Sequence, residues 1–319
     1  MAVYTPVSDI QLSDFLKDYA LGDIISLTEI TEGVENSNFI LKTSLDNFIL
    51  TLYEKRVSGD DLPFFMNLLS ELHHQNINCP RPITNKNGDI INICAGKNAT
   101  IVSFLDGKTA QFTNDSRCSE IGVVLAKLHL ATSKLTAHRP NPLGPNSWLN
   151  IILDTDDSYT DLPPTLRAEA TEQITELISH WPSSLPQSVI HADLFPNNAM
   201  FIEDKLTGII DFYFACTDFY AYDLAICLNS WCFEADGRFN SQKAKKLIDS
   251  YQSVRPLNID EINALPILSQ GAAMRFFATR YFDWHHTPAG ALVQRHDPLE
   301  YWTKITFLRD NADHALYGF

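Results

Sequence analysis

Between residues 24 and 53, apolar and polar positions alternate in two runs, IISLTEI and FILKTSLDNFILTLYE, with TEGVENSN between them and SLDN dividing the second. A period of two bounded by turn formers predicts strands, here a small antiparallel sheet. The period changes at DDLPFFMNLLSELHHQN, where Leu62, Phe65, Leu69 and Leu72 recur at helical spacing. Asp60 or Asp61 serves as the N-cap and Pro63 suits the first turn. NGDIINIC, entered through Asn87-Gly88, and ATIVSFL return to the β pattern. Strands with one intervening helix predict an α+β domain over residues 1–105. Beyond LDGK the chain reads as helices, giving a mainly helical second domain over 106–319. CSEIGVVLAKLHLAT carries Ile121, Val124, Leu125 and Leu128 on one face, and TLRAEATEQITELISHW ends at Pro182. SQKAKKLIDSYQ is a further helix, and ALPILSQGAAMRFFATRYFDWHH is another that starts near Ile262 to Pro266. RPNPLGPNSWLN (139–150) reads as an ordered loop, because it carries Trp148 and Leu149 rather than linker residues.

The chain has 319 residues, 45% of them apolar, enough to bury a large core. Its net charge of −15, from 24 basic against 39 acidic residues, argues against nucleic acid or an anionic membrane as partner, since phosphate affinity needs concentrated Lys and Arg. A nucleotide whose charge is offset by a divalent cation stays compatible. The N-terminus has no basic segment followed by an apolar run, and no window reaches the roughly 18 to 20 apolar residues of a membrane span. The expectation is a soluble, unexported, cytoplasmic protein. The six cysteines include no CxxC pair and read as reduced, buried thiols.

Candidate chemistry concentrates in IHADLFPNN (190–198) and GIIDFYF (208–214). Between them, AMFIEDKLTGII reads as a hairpin. With its turn centred between Asp204 and Lys205, Asn198 lies opposite Asp211, and opposed residues have Cβ atoms about 4.5 to 5.5 Å apart. An amide oxygen and a carboxylate at that distance make a hard-oxygen site suited to Mg²⁺. Asp193 enters the same end of the hairpin, where a carboxylate not used as a ligand orients a nucleophile or accepts its proton. Singly these residues have plainer readings: His191 as a hydrogen-bonded structural histidine, Asp211 as a strand-end cap or ion-pair partner.

In order and spacing His191, Asp193, Asn198 and Asp211 match the loop H-x-D-x-x-x-x-N followed by a second metal-binding Asp. Without a Gly after that Asp, an APE segment or room for a long activation loop, the chain resembles the aminoglycoside/choline phosphotransferase branch of the kinase-like fold. The resemblance implies a two-lobed α+β protein using ATP and Mg²⁺, with Asp193 as catalytic base or orienter and Asn198 and Asp211 holding the metal. It places Gly33, Asn36 and Asn38 beside the phosphates and the backbone of Ser103 to Leu105 at the adenine edge, although the GxGxxG form is absent. Thr51 stands where the third strand offers a base, and Phe65 where the helix offers its Glu. Lys55 or Arg56 supplies a relocated positive charge, unless the protein is a pseudokinase that binds nucleotide without turnover.

Within that branch FILTLYEKRV, DLPFFMNLL, IVSFLDG, HADLFPNN, GIIDFYFACTDFYAYDLAICLNSWCF, YQSVRP and GAAMRFFATRYFDW resemble the phosphotransferase-fold homoserine kinase family over nearly the whole chain. The departure at Thr51 is shared with that family's motif. The resemblance implies transfer of the ATP γ-phosphate to the side-chain hydroxyl of L-homoserine, as a monomer or homodimer. Kinases of choline, methylthioribose or aminoglycosides share the catalytic residues and differ in the pocket. Candidates for the substrate's ammonium and carboxylate are Asp218, Asp223, Arg275, Arg280, Tyr281 and Asp283. Asp223 has a second reading as an anchor of the catalytic loop, and the Arg275 helix a second reading as an amphipathic surface for interhelical contact.

Overall fold

The computed structural model describes residues 5–30, 36–54, 57–156, 161–287 and 295–319. It divides into two compact units: Met1–Gly107 with Thr207–Tyr213, and Lys108–Leu206 with Phe214–Phe319.

In the first unit, β1 (Ile24–Glu29), β2 (Ser37–Thr43), β3 (Asn47–Leu52), β4 (Asn92–Cys94) and β5 (Lys97–Ser103) form an antiparallel sheet in the order β1-β2-β3-β5-β4. Alternation along β2 sends Phe39 and Leu41 to the interior, where Leu50, Leu52 and Ile101 meet them. Among the described residues two helices serve this unit rather than the one expected. The first, α1 (Asp9–Leu16), contributes Leu12 and Phe15 to the core. Its start is a reciprocal capping box, Ser8 accepting from the Gln11 N–H while Gln11 accepts from the Ser8 N–H. The second, α2 (Leu62–His74), buries Leu62, Phe65, Met66, Leu68, Leu69 and Leu72. Asp61 is its N-cap residue but makes no side-chain cap bond. Residues 207–213 join the unit through hydrogen bonds from the Ile209 N–H to the Asn78 carbonyl (3.0 Å) and from the Thr207 hydroxyl to the Asp106 carbonyl (2.5 Å). A side chain at Gly208 would crowd that Asn78 carbonyl oxygen, so glycine is the residue this approach admits.

The second unit is built on α3 (Asp115–Thr132), α4 (Pro145–Asp154), α5 (Leu166–His180), α6 (Tyr220–Trp231), α7 (Ser241–Gln252), α8 (Ile259–His286) and α9 (Pro298–Asp310). Its strands are β6 (Lys108–Thr109), β7 (Gln187–Ile190), β8 (Ala199–Ile202) and β10 (Cys216–Phe219), and β9 (Lys205–Ile209) begins in it. α3 and α7 approach closely because a β-carbon on Gly122 would overlap the Leu247 carbonyl oxygen. α8 starts at Ile259, before the expected Ile262–Pro266, because Asn258 and Glu261 form a capping box; Pro266 lies inside the helix. The segment expected to be a loop at 139–150 turns helical at Pro145, which occupies the first turn. Trp148 and Ile152, one turn apart, give α4 its buried stripe. All six cysteines are free and buried. Among the described residues no helix is long and apolar enough to cross a membrane.

Candidate active site

The loop carrying Asp193 leaves the end of β7, which pairs with β10 in antiparallel register, Ile190 opposite Cys216 and Gln187 opposite Phe219. α6 follows β10 directly, so its first turn brings Asp223 under the loop. Asp223 is fully buried, one carboxylate oxygen accepting the His191 N–H and the other the Ala192 N–H, each at 2.8 Å. A third bond, 3.1 Å long, joins Asp223 to His129 Nε2, whose Nδ1 lies 2.7 Å from the Tyr251 hydroxyl. Burial works to raise the Asp223 pKa, but the hydrogen bonds from His129 and the His191 N–H outweigh it and hold the carboxyl below its ordinary range. Burial also lowers the His129 pKa, more than Asp223 raises it, so the ring is neutral. A neutral ring donates from Nε2 to the carboxylate and accepts from Tyr251 at Nδ1. The chain of partners continues from the Tyr251 hydroxyl to Arg255 (3.1 Å) and from Arg255 to Glu261 (2.9 Å), the capping residue of α8.

The loop is also braced on itself. The Asp193 N–H donates to His191 Nδ1 (3.2 Å), and the Asp193 carbonyl accepts from the Phe195 N–H (2.8 Å). The Asn198 amide group donates to the Asp193 carbonyl (2.8 Å) and to Asp193 Oδ2 (3.1 Å). That orientation uses the nitrogen end of Asn198 and turns its oxygen, the end a hard cation takes, away from Asp193. Asn198 closes a 3₁₀ turn, Pro196–Asn198, rather than standing in a strand. The hairpin turn is Glu203-Asp204, centred one residue before the expected position, with Glu203 at φ 55°. Asp211 lies past the end of β9, exposed and at φ 65°. Cross-strand pairing is therefore not what positions Asn198 and Asp211: each belongs to an irregular segment, Asn198 in the second unit and Asp211 in the first.

In the first unit, Thr51 lies opposite Asn38 across β3 and β2, and its hydroxyl donates to Asn38 Oδ1 (2.8 Å). Asn36 is buried and its oxygen accepts the Glu54 N–H (3.4 Å). The oxygens of both side chains are thus engaged within the unit. In place of a charged pair, the Tyr213 hydroxyl meets that of Tyr53 (3.0 Å), which meets Thr100 (2.9 Å); Phe65 and Tyr213 stand edge to face at 5.7 Å. Burial first, and then the neighbouring Tyr53, push the Tyr213 pKa well up, so the cluster is neutral. Ser103 sits within the sheet, its N–H donating to the Arg81 carbonyl and its hydroxyl accepting the Arg81 N–H, both at 2.9 Å. Leu105 is just beyond β5. Gly33, Lys55 and Arg56 lie outside the described residues.

Of the six residues expected to take the substrate, three are committed to the fold. Asp223 is the buried anchor already described, its acceptor positions turned to the loop. Arg275, 2% exposed, donates to the Ala192 carbonyl. Tyr281 is buried beside Phe277 and His285. Asp218, Arg280 and Asp283 keep partial exposure. Asp218 accepts from the Asn141 amide (2.7 Å), and burial raises its pKa. Arg280 pairs with Glu300 of α9 (2.6 Å). Sequence reasoning missed His129, Tyr251, Arg255 and Glu261. A signal existed for His129: it follows Ile121, Leu125 and Leu128 on the apolar face of its helix. Among the described residues no group of three or more His, Cys, Asp or Glu is arranged to hold a metal, so His191 and Asp193 are not part of such a cluster.

Residues 26–257 match the model of the phosphotransferase enzyme family. The homoserine kinases of Agrobacterium fabrum and Azorhizobium caulinodans are each 48% identical over 318 residues, covering all of this chain and 99% of theirs. Among solved structures, an amicoumacin kinase in complex with AMP-PNP and Ca²⁺ superposes with a TM-score of 0.70 at 15% identity, covering 96% of this chain and 93% of that one. A spectinomycin phosphotransferase in complex with ADP and spectinomycin gives 0.67 at 16% identity over 98% of each chain. These structural likenesses establish the two-lobed kinase-like fold. The chain belongs to the phosphotransferase enzyme family and, within it, to the homoserine kinases.

Proposed function

We propose that this protein is an ATP-dependent kinase that phosphorylates the side-chain hydroxyl of L-homoserine, giving O-phospho-L-homoserine and ADP in the cytoplasm as a step towards threonine. The observation that carries this reading is the 48% identity to homoserine kinases over the full chain, with Asp193, Asn198 and Asp211 all present. Phosphoryl transfer asks chiefly for alignment and charge neutralisation, so a few well-held oxygens suffice.

Asp193 receives the hydroxyl proton or orients the hydroxyl. Its backbone is held by His191 and Asn198, which limits the carboxylate's wander without occupying both of its oxygens in the bond to Asn198. The donor set of Asn198 and Asp211, one amide oxygen and one carboxylate, fits Mg²⁺, which takes one or two protein oxygens and completes its shell with phosphate and water. Bound there, the metal would neutralise phosphate charge. The neutral Thr51, Tyr53 and Tyr213 cluster leaves phosphate neutralisation to that metal and to cations outside the sheet. Asp218 and Arg280, both partly exposed, are the side chains offered to the ammonium and carboxylate of the amino acid.

The test is ADP release by the purified protein with ATP and Mg²⁺, comparing L-homoserine with choline, methylthioribose, kanamycin, L-serine and no acceptor. Stimulation by L-homoserine alone is expected. Stimulation by a different acceptor would overturn the substrate, and silence with every acceptor alongside measurable ATP binding would establish a pseudokinase.

A further inference from the structure

Ala192, between His191 and Asp193, has φ 62°. A β-carbon disfavours that left-handed conformation, and no glycine relieves it here. The residue is held there from both sides. Its N–H donates to Asp223, and its carbonyl accepts from the Arg275 guanidinium, delivered from the middle of α8. Arg275 does not face solvent: it is 2% exposed, lies over Phe276 with 4.6 Å to the ring centre, and faces Phe214 at 5.4 Å. Its Nε has no hydrogen-bond partner among the described residues. A cation taken out of water and only partly hydrogen-bonded is costly to keep, and the bond it makes goes to the peptide that aims Asp193.

We propose that Arg275 is a positioning residue for phosphoryl transfer, which holds Ala192 in the left-handed conformation and so aims the Asp193 carboxylate, rather than a ligand of the substrate's carboxylate. Asp223 and Arg275 together form a two-sided clamp on one residue, gripping the peptides before and after it, with neither touching the reacting atoms. This rests on the kinase reading above for its activity readout. A substrate grip and a backbone clamp separate in kinetics: the grip acts on the Michaelis constant for the amino acid, the clamp on turnover.

The test uses Arg275→Gln and Arg275→Lys, each alone and combined with Ala192→Gly. Arg275→Gln is too short to reach the carbonyl, and misaiming of the carboxylate should cost about 100-fold in kcat, with Michaelis constants for ATP and L-homoserine unchanged. Arg275→Lys keeps the charge and one donor and should lose about tenfold. Glycine adopts positive φ without strain, so Ala192→Gly should restore most of the lost turnover in both variants. A raised Michaelis constant for L-homoserine at unchanged kcat, or equal losses in the alanine and glycine backgrounds, would overturn the proposal. Should the parent release no ADP with L-homoserine, the functional reading fails by itself. The clamp is then read from amide hydrogen exchange across residues 190–198, expected to be faster in Arg275→Gln and slowed again by Ala192→Gly; exchange that does not change overturns it.

Discussion

Replacing Asp223 by asparagine alters one atom at the place where four segments meet: the loop that carries Asp193, α6, α3 and, through Tyr251, α7. The carboxylate accepts two backbone N–H groups at 2.8 Å and His129 Nε2 at 3.1 Å. A carboxamide keeps one oxygen, so one loop N–H retains its acceptor and the other faces an NH₂ group. Losing a charge-assisted bond costs about 1.5 to 3 kcal/mol, and the stranded buried donor adds about 1 to 3 kcal/mol. With the oxygen kept where His129 and the His191 N–H meet it, the stranded donor is the Ala192 N–H. The two contributions overlap, which gives a loss of roughly 3 to 5 kcal/mol in unfolding free energy, as for other broken buried charge pairs. Turnover of the folded fraction should fall by about 100-fold, because Ala192 keeps only its carbonyl-side support. Urea unfolding at pH 7 with an unchanged denaturant slope reads the first number; steady-state ADP release reads the second. Asp223 has a folded pKa below its unfolded value of about 3.9, so its contribution is fully present above that pH. It is lost as pH falls through the lower folded value, and the difference between parent and variant should narrow only there. A loss under about 1 kcal/mol with parental turnover would refute the role of Asp223 as anchor.

Asp193→Asn should lower kcat by several orders of magnitude while leaving ATP binding intact, measured by ADP release and nucleotide titration; near-parental turnover would remove Asp193 from the chemistry. Asp211→Ala should abolish the Mg²⁺-dependent part of nucleotide binding in calorimetric titrations with and without the metal, and unchanged curves would place the metal elsewhere. His129 has a folded pKa below its unfolded value of about 6.5, so its neutral form contributes fully above that pH and loses about 1.4 kcal/mol per pH unit below it, down to the folded value. His129→Gln should therefore show a shallower rise of stability between pH 5 and 6.5 than the parent, and parallel profiles would contradict a buried neutral ring.

What the sequence disclosed followed from periodicity and local spacing. β2 and β3 were legible because one face is buried and the other is not, and α7 because its apolar stripe runs between clear caps. Asp193, Asn198 and Asp211 stood out because the motif they match sets their separations along the chain. α4 was hidden by RPNPLGPN, whose prolines suggest a loop, although Pro145 in a first turn and the Trp148–Ile152 stripe are helical features. The relay from Glu261 to Asp223 was illegible for a different reason. Its members come from four helices and, at Arg255, the loop between α7 and α8, and no local spacing encodes the α3–α7 approach that brings His129 to Tyr251.

The same distinction explains the two left-handed residues inside the candidate motifs. Ala192 and Asp211, at φ 62° and 65°, occupy a conformation for which a short-range signal would be glycine. Neither is glycine, so each segment is held by its surroundings and not by its own preference. For Ala192 those surroundings are identified: Asp223 on the N–H and Arg275 on the carbonyl, both buried and both drawn from helices distant in sequence. A loop shaped in this way has its geometry only when the helical unit is assembled. Destabilising α6 or α8 should therefore cost turnover before it costs the fold, whereas a loop shaped by its own glycine would retain its form until global unfolding.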